Sequence, residues 1–284
     1  MKCRICEGKS DHVFTETLLN KHQVKFYHCQ HCHFLQTEEP YWLDEAYSQA
    51  ITLQDTGLVQ RNLELAKKTS LVLFYLFDKK KKFLDYTGGY GIFVRLMRDV
   101  GFDFYLEDKF CENLVARGFN GKEEKYELIT SVESFEHFPD PISEIKELLK
   151  KSNNILFTTE LMPDGKLPKN DWWYYSKTSG QHISFYSQKT LKFIAKKFGL
   201  KFYTNGFLHL LCKNEPELKT SDLFIFTHLL KQKLTLIFYK IIGKKKKISN
   251  NEIFYHLLKT KVDRRCEITE ILTSKTFSDH ENLV

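Results

Sequence analysis

A glycine-rich turn between an apolar stretch and a helix-like stretch constrains the fold of this chain more than any other feature. Residues 82–86 form a short apolar run that ends in acid and tyrosine, and the glycines Gly88, Gly89 and Gly91 follow. Residues 92–97 then show helical apolar spacing. This order predicts a strand, a tight turn and a helix start, the first unit of a parallel α/β sheet. Such turns need glycine where φ is positive or where a ligand lies against the backbone.

An acidic residue ends the next predicted strand, about twenty residues beyond the glycines, at Asp108. A carboxylate at this place accepts hydrogen bonds from the ribose hydroxyls of a nucleotide cofactor. The motif that binds nicotinamide cofactors has a third glycine where this chain has Val94, and Asp85 would repel the pyrophosphate of such a cofactor. S-adenosylmethionine instead carries an ammonium and a sulfonium. Asp85 therefore favours the methyl donor.

The stretch DYTGGYG, residues 85–91, resembles the D-x-G-x-G-x-G motif of class I S-adenosylmethionine-dependent methyltransferases, with Thr87 in place of the usual first glycine. Residues 126–141 are similar to the strand-four region of these enzymes, where E-x-x-E-H-x-x-D-P is common. The resemblance covers roughly residues 82–213. It implies an α/β, Rossmann-like, doubly wound and mostly parallel sheet. The residues that it implies at the donor are Asp85, Thr87, Gly88, Gly89, Gly91, Asp108 and Glu133.

Two C-x-x-C pairs near the start of the chain predict a metal site formed by Cys3, Cys6, Cys29 and Cys32. Two such turns present four thiolates to one ion, the geometry of structural Zn²⁺; an iron–sulfur site and redox thiols are the alternatives. Four ligands leave no open position for water, so the zinc is interpreted as structural. Three further side chains crowd the second pair and are interpreted as neighbours rather than ligands: His28, His31 and His33.

The cysteine module in front of the glycine turn resembles a bacterial subgroup of these methyltransferases that has an N-terminal zinc-binding domain. Some members of that subgroup methylate sugars attached to nucleotides or lipids. The resemblance implies a small-molecule or carbohydrate-like acceptor.

Three residues are candidates for the base that a hydroxyl or carbon acceptor requires: His182, His137 and Glu136. His182 stands between a glycine turn and an aromatic run, and the ordinary pKa of histidine lies near neutrality. Each candidate also has a structural interpretation. Glu136 and His137 lie near a predicted helix start, where they can bond backbone amides or one another. His182 can simply pack against the aromatic residues that follow it.

Two aromatic segments flank these candidates in the sequence. Residues 171–175 (DWWYY) suit a sugar ring or an apolar acceptor, or form the core of a lid. Residues 41–47, on the segment that leaves the cysteine module, are expected to close the cofactor pocket from the other side.

The predicted organisation is a zinc-binding module at 1–40, a helical linker and cofactor cap at 41–81, a methyltransferase domain at 82–213 and a helical basic extension at 214–284. The chain begins without an apolar leader, which predicts a cytoplasmic protein. Residues 223–242 and the lysine run 244–247 suit contact with an anionic membrane surface, or packing against the catalytic domain or a partner.

These features predict methyl transfer from S-adenosylmethionine to a small-molecule or carbohydrate-like acceptor. The alternatives are a non-enzymatic zinc-ribbon and Rossmann-like binding protein, and a nicotinamide-dependent oxidoreductase. A net charge of +7 gives no strong nucleic-acid signal, because acidic residues partly offset the basic ones near the cysteines.

Overall fold

A computed structural model describes residues 1–48, 56–122, 125–163 and 166–216 of the chain. The strands are β1 (Ser10–Leu18), β2 (His22–Cys29), β3 (Leu35–Thr37), β4 (Lys82–Tyr86), β5 (Asp103–Glu107), β6 (Leu128–Ser131), β7 (Asn154–Thr158), β8 (Leu161–Met162), β9 (Ser184–Ser187), β10 (Lys201–Thr204) and β11 (Leu208–Cys212). The helices are α1 (Leu43–Ala46), α2 (Leu58–Leu76), α3 (Ile92–Asp99), α4 (Pro141–Lys151) and α5 (Gln188–Phe198). Of the basic extension expected at 214–284, everything beyond residue 216 lies outside the described residues.

The larger sheet has six strands in the order β10-β11-β7-β6-β4-β5. Strands β7, β6, β4 and β5 are mutually parallel, and β11 and β10 add antiparallel strands at one edge. The mostly parallel Rossmann-like sheet predicted from the sequence is therefore confirmed. The chain runs from β4 outward to β5 and then returns to β6 on the other side of β4. This reversal opens a crevice at the carboxyl ends of β4 and β6, where ligands bind in open α/β sheets.

Alternate residues of the sheet face two separate cores. Phe83 of β4 packs with α2 and α3, whereas its neighbour Leu84 packs with α4 and α5. Both side chains are fully buried, so each contributes about 1.5–3 kcal/mol of hydrophobic stabilisation. The helices on both faces hold the strands in place. They therefore position the carboxyl ends of the strands and the loops that follow them.

Local signals set the start of the helix predicted near Pro141. The carboxylate of Asp140 accepts a hydrogen bond from the backbone N–H of Ser143 at 3.1 Å, and Pro141 occupies the first helical turn. Both features are typical of helix N-termini. No described helix combines the length and the low charge needed to cross a membrane.

The smaller sheet has the order β1-β2-β3-β9-β8. The β1–β2 hairpin connects the two cysteine pairs, and β3 pairs with β9 through Leu35 and Phe185. These strands share a core that includes Phe26, Trp42 and Tyr175. The sheet of the cysteine module therefore continues into the segment that begins just after His182.

Candidate active site

The glycine turn after β4 has a left-handed backbone at three positions. Thr87 has φ 60°, Gly89 has φ 59° and Gly91 has φ 90°. Thr87 thus adopts the conformation for which the family uses glycine, at a cost for a β-branched residue. Its hydroxyl contacts the carbonyl oxygen of Tyr86 and the hydroxyl of Ser134, each at 2.5 Å. The second contact joins the glycine turn to the loop that follows β6.

Asp85 is buried directly beneath this turn, 1% exposed. Its Oδ1 accepts a hydrogen bond from the Thr130 hydroxyl at 2.6 Å, and its Oδ2 has no hydrogen-bond partner among the described residues. A Cβ at Gly88 would lie 2.1 Å from that Oδ2, so only glycine leaves the carboxylate open. Burial, together with the charge of Asp108, raises the pKa of Asp85 to about 7.

Asp108 faces the glycine turn from the end of β5. Its Oδ2 accepts a hydrogen bond from the backbone N–H of Gly89 at 2.9 Å. Its Oδ1 accepts from the N–H groups of Phe110 and Cys111, both at 2.8 Å. The carboxylate therefore ties the turn to the loop after β5.

Glu133 lies in the loop after β6 with φ 49°. Its carboxylate accepts a hydrogen bond from the Thr158 hydroxyl at 2.8 Å, and its own N–H donates to that hydroxyl at 2.9 Å. Glu133 thus bridges the ends of β6 and β7, at the same edge of the sheet as the glycine turn.

The three candidate bases come together. One ligand atom each of Glu136, His137 and His182 lies within 4.8 Å of the others. Glu136 is 0% exposed, and neither of its carboxylate oxygens has a hydrogen-bond partner in the described part of the chain. Burial, reinforced by the charge of Glu133, raises the pKa of Glu136 to about 8. A buried carboxyl in this state is protonated at neutral pH.

Hydrogen bonding orients both histidine rings. Nδ1 of His182 lies 2.7 Å from the carbonyl oxygen of Tyr174, and a carbonyl only accepts, so this nitrogen carries the proton and Nε2 keeps a lone pair. Nδ1 of His137 lies 3.1 Å from the carbonyl oxygen of Gln181. The two rings meet edge to face with centroids 4.9 Å apart.

Burial lowers the pKa of His137 to about 4. Burial and the neighbouring His137 together lower the pKa of His182 to about 3. The expectation that His182 has a pKa near neutrality is therefore wrong for the unliganded protein. The ring packs against Tyr174 and His137, which lie on other segments, and no local sequence signal indicated these contacts.

Tyr47 joins this cluster although the sequence did not single it out. Its hydroxyl lies 2.9 Å from Nδ1 of His137, and its ring stacks over Phe110 with centroids 6.0 Å apart. The segment around Tyr47 is held by the indole N–H of Trp42, which donates to the carbonyl oxygen of Gly180 at 2.8 Å. The segment 41–47 thus spans from the loop after β5 to the histidines. The aromatic pattern of 41–47 was the only signal, and it did not specify Tyr47.

The aromatic segment 171–175 divides into buried and exposed parts. Tyr174 and Tyr175 are buried, whereas Trp173 is 72% exposed. The ring of Tyr174 packs against His182 with centroids 4.6 Å apart, and Trp173 packs against Tyr174. The segment therefore supplies both the wall behind His182 and a free indole beside it.

The four predicted metal ligands converge: the Sγ atoms of Cys3, Cys6, Cys29 and Cys32 all lie within 4.8 Å of one another. The closest pairs are Cys3 with Cys32 at 3.5 Å and Cys6 with Cys29 at 3.4 Å. Four thiolates around a tetrahedral zinc are about 3.8 Å apart, because each Zn–S bond is near 2.3 Å. The donor set and its spacing fit this ion.

Several solved methyltransferases are similar to this chain. The plantazolicin methyltransferase BpumL, in complex with SAH, aligns at 13% identity and a TM-score of 0.42 over 60% of this chain and 90% of its own. CalO1, a methyltransferase in calicheamicin biosynthesis in an SAH-bound form, aligns at 14% identity and a TM-score of 0.43 over 60% of this chain and 58% of its own. Human N-acetylserotonin methyltransferase, in complex with SAM, aligns at 14% identity and a TM-score of 0.39 over 61% of this chain and 66% of its own.

No curated protein matches the sequence significantly. The family model described as a methyltransferase domain matches residues 59–205, just over half of the 284 residues. The match includes the glycine turn, Asp108 and all three candidate bases. The chain belongs to the methyltransferase domain family and is a class I S-adenosylmethionine-dependent methyltransferase.

Proposed function

We propose that the protein transfers a methyl group from S-adenosylmethionine to a small-molecule or carbohydrate-like acceptor held at the Glu136–His137–His182 cluster. The observation that carries this proposal is the convergence of these three side chains within 4.8 Å of one another. The Thr87–Ser134 hydrogen bond connects the glycine turn to the loop that carries Glu136 and His137. The cluster and the donor turn are thus neighbours.

The donor residues fit a cationic nucleoside. Oδ2 of Asp85 is buried beside Gly88 without a hydrogen-bond partner among the described residues, which suits a positively charged ligand. Asp108 offers acceptor oxygens at the end of β5, where a ribose is bound in such folds. Thr87, Gly88, Gly89 and Gly91 shape the turn, and Glu133 borders it; the described residues leave Gly89 facing open space. When bound, S-adenosylmethionine supplies an electrophilic methyl group on a sulfonium, open to in-line attack.

His182 is the proposed base. Its Nδ1–H is held by the Tyr174 carbonyl, so Nε2 is free to take a proton from an acceptor hydroxyl or carbon. The low pKa keeps the ring neutral at physiological pH, so the lone pair on Nε2 is available, and it also makes the ring a weak base. The imidazolium that forms lies beside the Glu136 carboxyl. His137 holds the neighbouring position, oriented by Tyr47 and Gln181.

Support for a ring-shaped acceptor comes from the aromatic surface next to the base. The exposed indole of Trp173 lies against Tyr174, which itself packs on His182. A flat aromatic face beside polar groups binds a sugar ring or an apolar ring through its surface.

The cysteine cluster is proposed to hold one structural zinc. Its four thiolates close the coordination shell, so the ion supplies folding stability rather than a reactive water. The proposed division of the chain is the zinc module at 1–40, the linker and cap at 41–81 and the methyltransferase domain at 82–213.

Calorimetric titration of the zinc-loaded full chain with S-adenosylmethionine tests the donor site. We expect saturable binding of one donor per chain, weakened at least tenfold in Asp85→Asn. Release of S-adenosylhomocysteine with a panel of sugars, sugar nucleotides and aromatic hydroxy compounds then tests the acceptor class. Absence of saturable donor binding by the zinc-loaded protein would overturn the proposal.

A further inference from the structure

We propose that Arg4, inside the first cysteine pair, is a positioning residue that sets the active-site loop carrying His182. This inference rests on the proposed function of the Glu136–His137–His182 cluster. It makes the cysteine module a part of the active-site architecture rather than a separate appendage.

The guanidinium of Arg4 reaches away from the cysteines and binds three backbone carbonyls. Nη2 donates to the carbonyl oxygens of Thr37 and Glu38, both at 2.9 Å, and Nη1 donates to that of Ile183 at 3.4 Å. The planar fork of arginine satisfies several carbonyls at once, which the single ammonium of lysine cannot do. Arg4 therefore clamps the end of β3 to the segment that immediately follows His182.

Ile183 passes this constraint to the cluster. Its carbonyl oxygen also accepts from the backbone N–H of Thr37 at 3.1 Å, and its own N–H donates to the carbonyl oxygen of Glu136 at 2.9 Å. One residue thus receives the Arg4 contact, precedes β9 and bonds the backbone of Glu136. His182 directly precedes Ile183 in the chain, and Glu136 is hydrogen-bonded to it.

Contacts other than those of the Arg4 side chain hold the two C-x-x-C pairs in place. The side-chain oxygen of Gln36 accepts from the backbone N–H of Arg4 at 2.8 Å, while its amide nitrogen donates to the carbonyl oxygen of Lys2 at 2.9 Å. The hydroxyl of Thr190 donates to the carbonyl oxygen of Cys32 at 2.9 Å. Loss of the Arg4 side chain leaves all of these, so the module is expected to keep its metal while the loop loosens.

Nuclear magnetic resonance of the histidine rings in the zinc-loaded full chain tests the proposal without an acceptor. In Arg4→Met we expect the His182 ring to begin to titrate above about pH 5, where the thiolates keep their zinc. A looser loop admits water to the ring and raises its pKa from about 3 towards the ordinary value for histidine, whereas the ring of the unaltered protein stays neutral in this range. Among the described residues, the groups that face His182 are His137, Glu136 and Tyr174, the last through both its ring and its carbonyl oxygen. In Arg4→Lys, which keeps the charge but loses the fork, the rise is smaller. Zinc content and donor affinity stay as in the unaltered protein.

Lys197→Met is the matched control. Lys197 also contacts the first C-x-x-C pair, because its ammonium donates to the carbonyl oxygen of Ile5 at 3.4 Å. It makes no described contact with the active-site loop. We expect unchanged histidine titrations in this variant. An unshifted His182 in both Arg4 variants, or an equal shift in Lys197→Met, would overturn the positioning role. Failure of the unaltered protein to bind the donor would overturn the proposed function, but the histidine titrations would still test the role of Arg4. If Arg4→Met does not fold, the titration of Arg4→Lys tests that role.

Discussion

The proposed donor site and the proposed acceptor cluster are built in opposite ways. Most of the proposed donor residues, from Asp85 to Asp108, lie within one β-α-β unit, where the backbone N–H of Gly89 bonds to Asp108. Glu133 and the bonds from Thr130 and Ser134 add contacts from β6 and the loop after it. The acceptor cluster draws on three distant stretches: Tyr47, the pair Glu136–His137, and His182. The first site is set by a local turn, and the second exists only when both sheets are assembled.

This difference assigns different vulnerabilities to the two sites. The donor turn depends on side-chain volume and charge within a few residues, so point changes there act on donor affinity. The acceptor cluster depends on the junction of β3 with β9, so changes in the cysteine module act on it from a distance. Perturbations that separate these effects test the comparison directly.

Loss of the cysteine site should give the largest effect. In Cys32→Ser the coordination shell is incomplete, and structural zinc sites contribute about 10 kcal/mol or more of apparent folding free energy. We expect zinc content to fall well below one ion per chain. Hydrogen exchange should lose most protection across β1 to β3 and in β9. A smaller loss should reach the face of the larger sheet that packs on α4 and α5, because the cysteines share a core there with Leu84, Ile129 and Ile155.

Cys111→Ser provides the control, because Cys111 is a free cysteine outside the four-sulfur cluster. It should leave zinc content and exchange unchanged. Uniform loss of protection across both sheets in Cys32→Ser would show that the two regions unfold as one unit.

Replacement of the proposed base should give the next largest effect. His182→Gln removes the free ring nitrogen, and general base catalysis is worth about 10²–10⁴-fold in rate. With an acceptor that the unaltered protein methylates, the rate of S-adenosylhomocysteine release is expected to decrease by that factor. The dissociation constant of the donor should stay within about twofold of the original. His12→Gln, at an exposed position on β1, should change neither quantity. A fall in donor affinity that matches the fall in rate would place His182 in donor binding instead.

The sequence predicted the elements around the proposed donor site better than it predicted the convergence of the proposed acceptor cluster, because the former depend on local spacing. Local spacing was sufficient for β4, α3 and β5, and Thr87 takes the left-handed conformation that its place in the motif required. Glu136, His137 and His182 were selected by residue type, but their convergence follows from pairings that no local pattern encodes. Tyr47 contacts His137 across 90 residues, which is why it was missed. The expectation of a near-neutral pKa for His182 was wrong for the same reason, because segments distant in the sequence bury the ring and lower its pKa.

Crowding of the donor turn should lower donor affinity without touching the acceptor cluster. In Gly88→Ala the new Cβ would lie 2.1 Å from Oδ2 of Asp85, so the carboxylate must move. We expect donor affinity, measured by calorimetry, to fall by about a hundredfold, the cost of about 2.7 kcal/mol. Gly121→Ala is the matched control, since its Cβ would meet a flexible methyl of Leu84 at 2.7 Å, away from the turn. Equal losses in both variants would indicate general destabilisation.

The smallest expected effect is the pH dependence of donor affinity, which isolates Asp85 from the rest of the site. Because the pKa of Asp85 is raised to about 7 in the unliganded protein, its carboxyl is mostly ionised at pH 8 and mostly protonated at pH 6. A cationic donor binds the ionised form, so the apparent affinity should fall about tenfold from pH 8 to pH 6, the change in the ionised fraction. Asp85→Asn has no proton to lose and should bind weakly with that dependence removed. Titration of the donor itself is common to both proteins and cancels in their ratio. If the ratio of the two dissociation constants stays constant across this range, the partnerless oxygen of Asp85 does not face the cation, and donor recognition must rest on Asp108 and the turn alone.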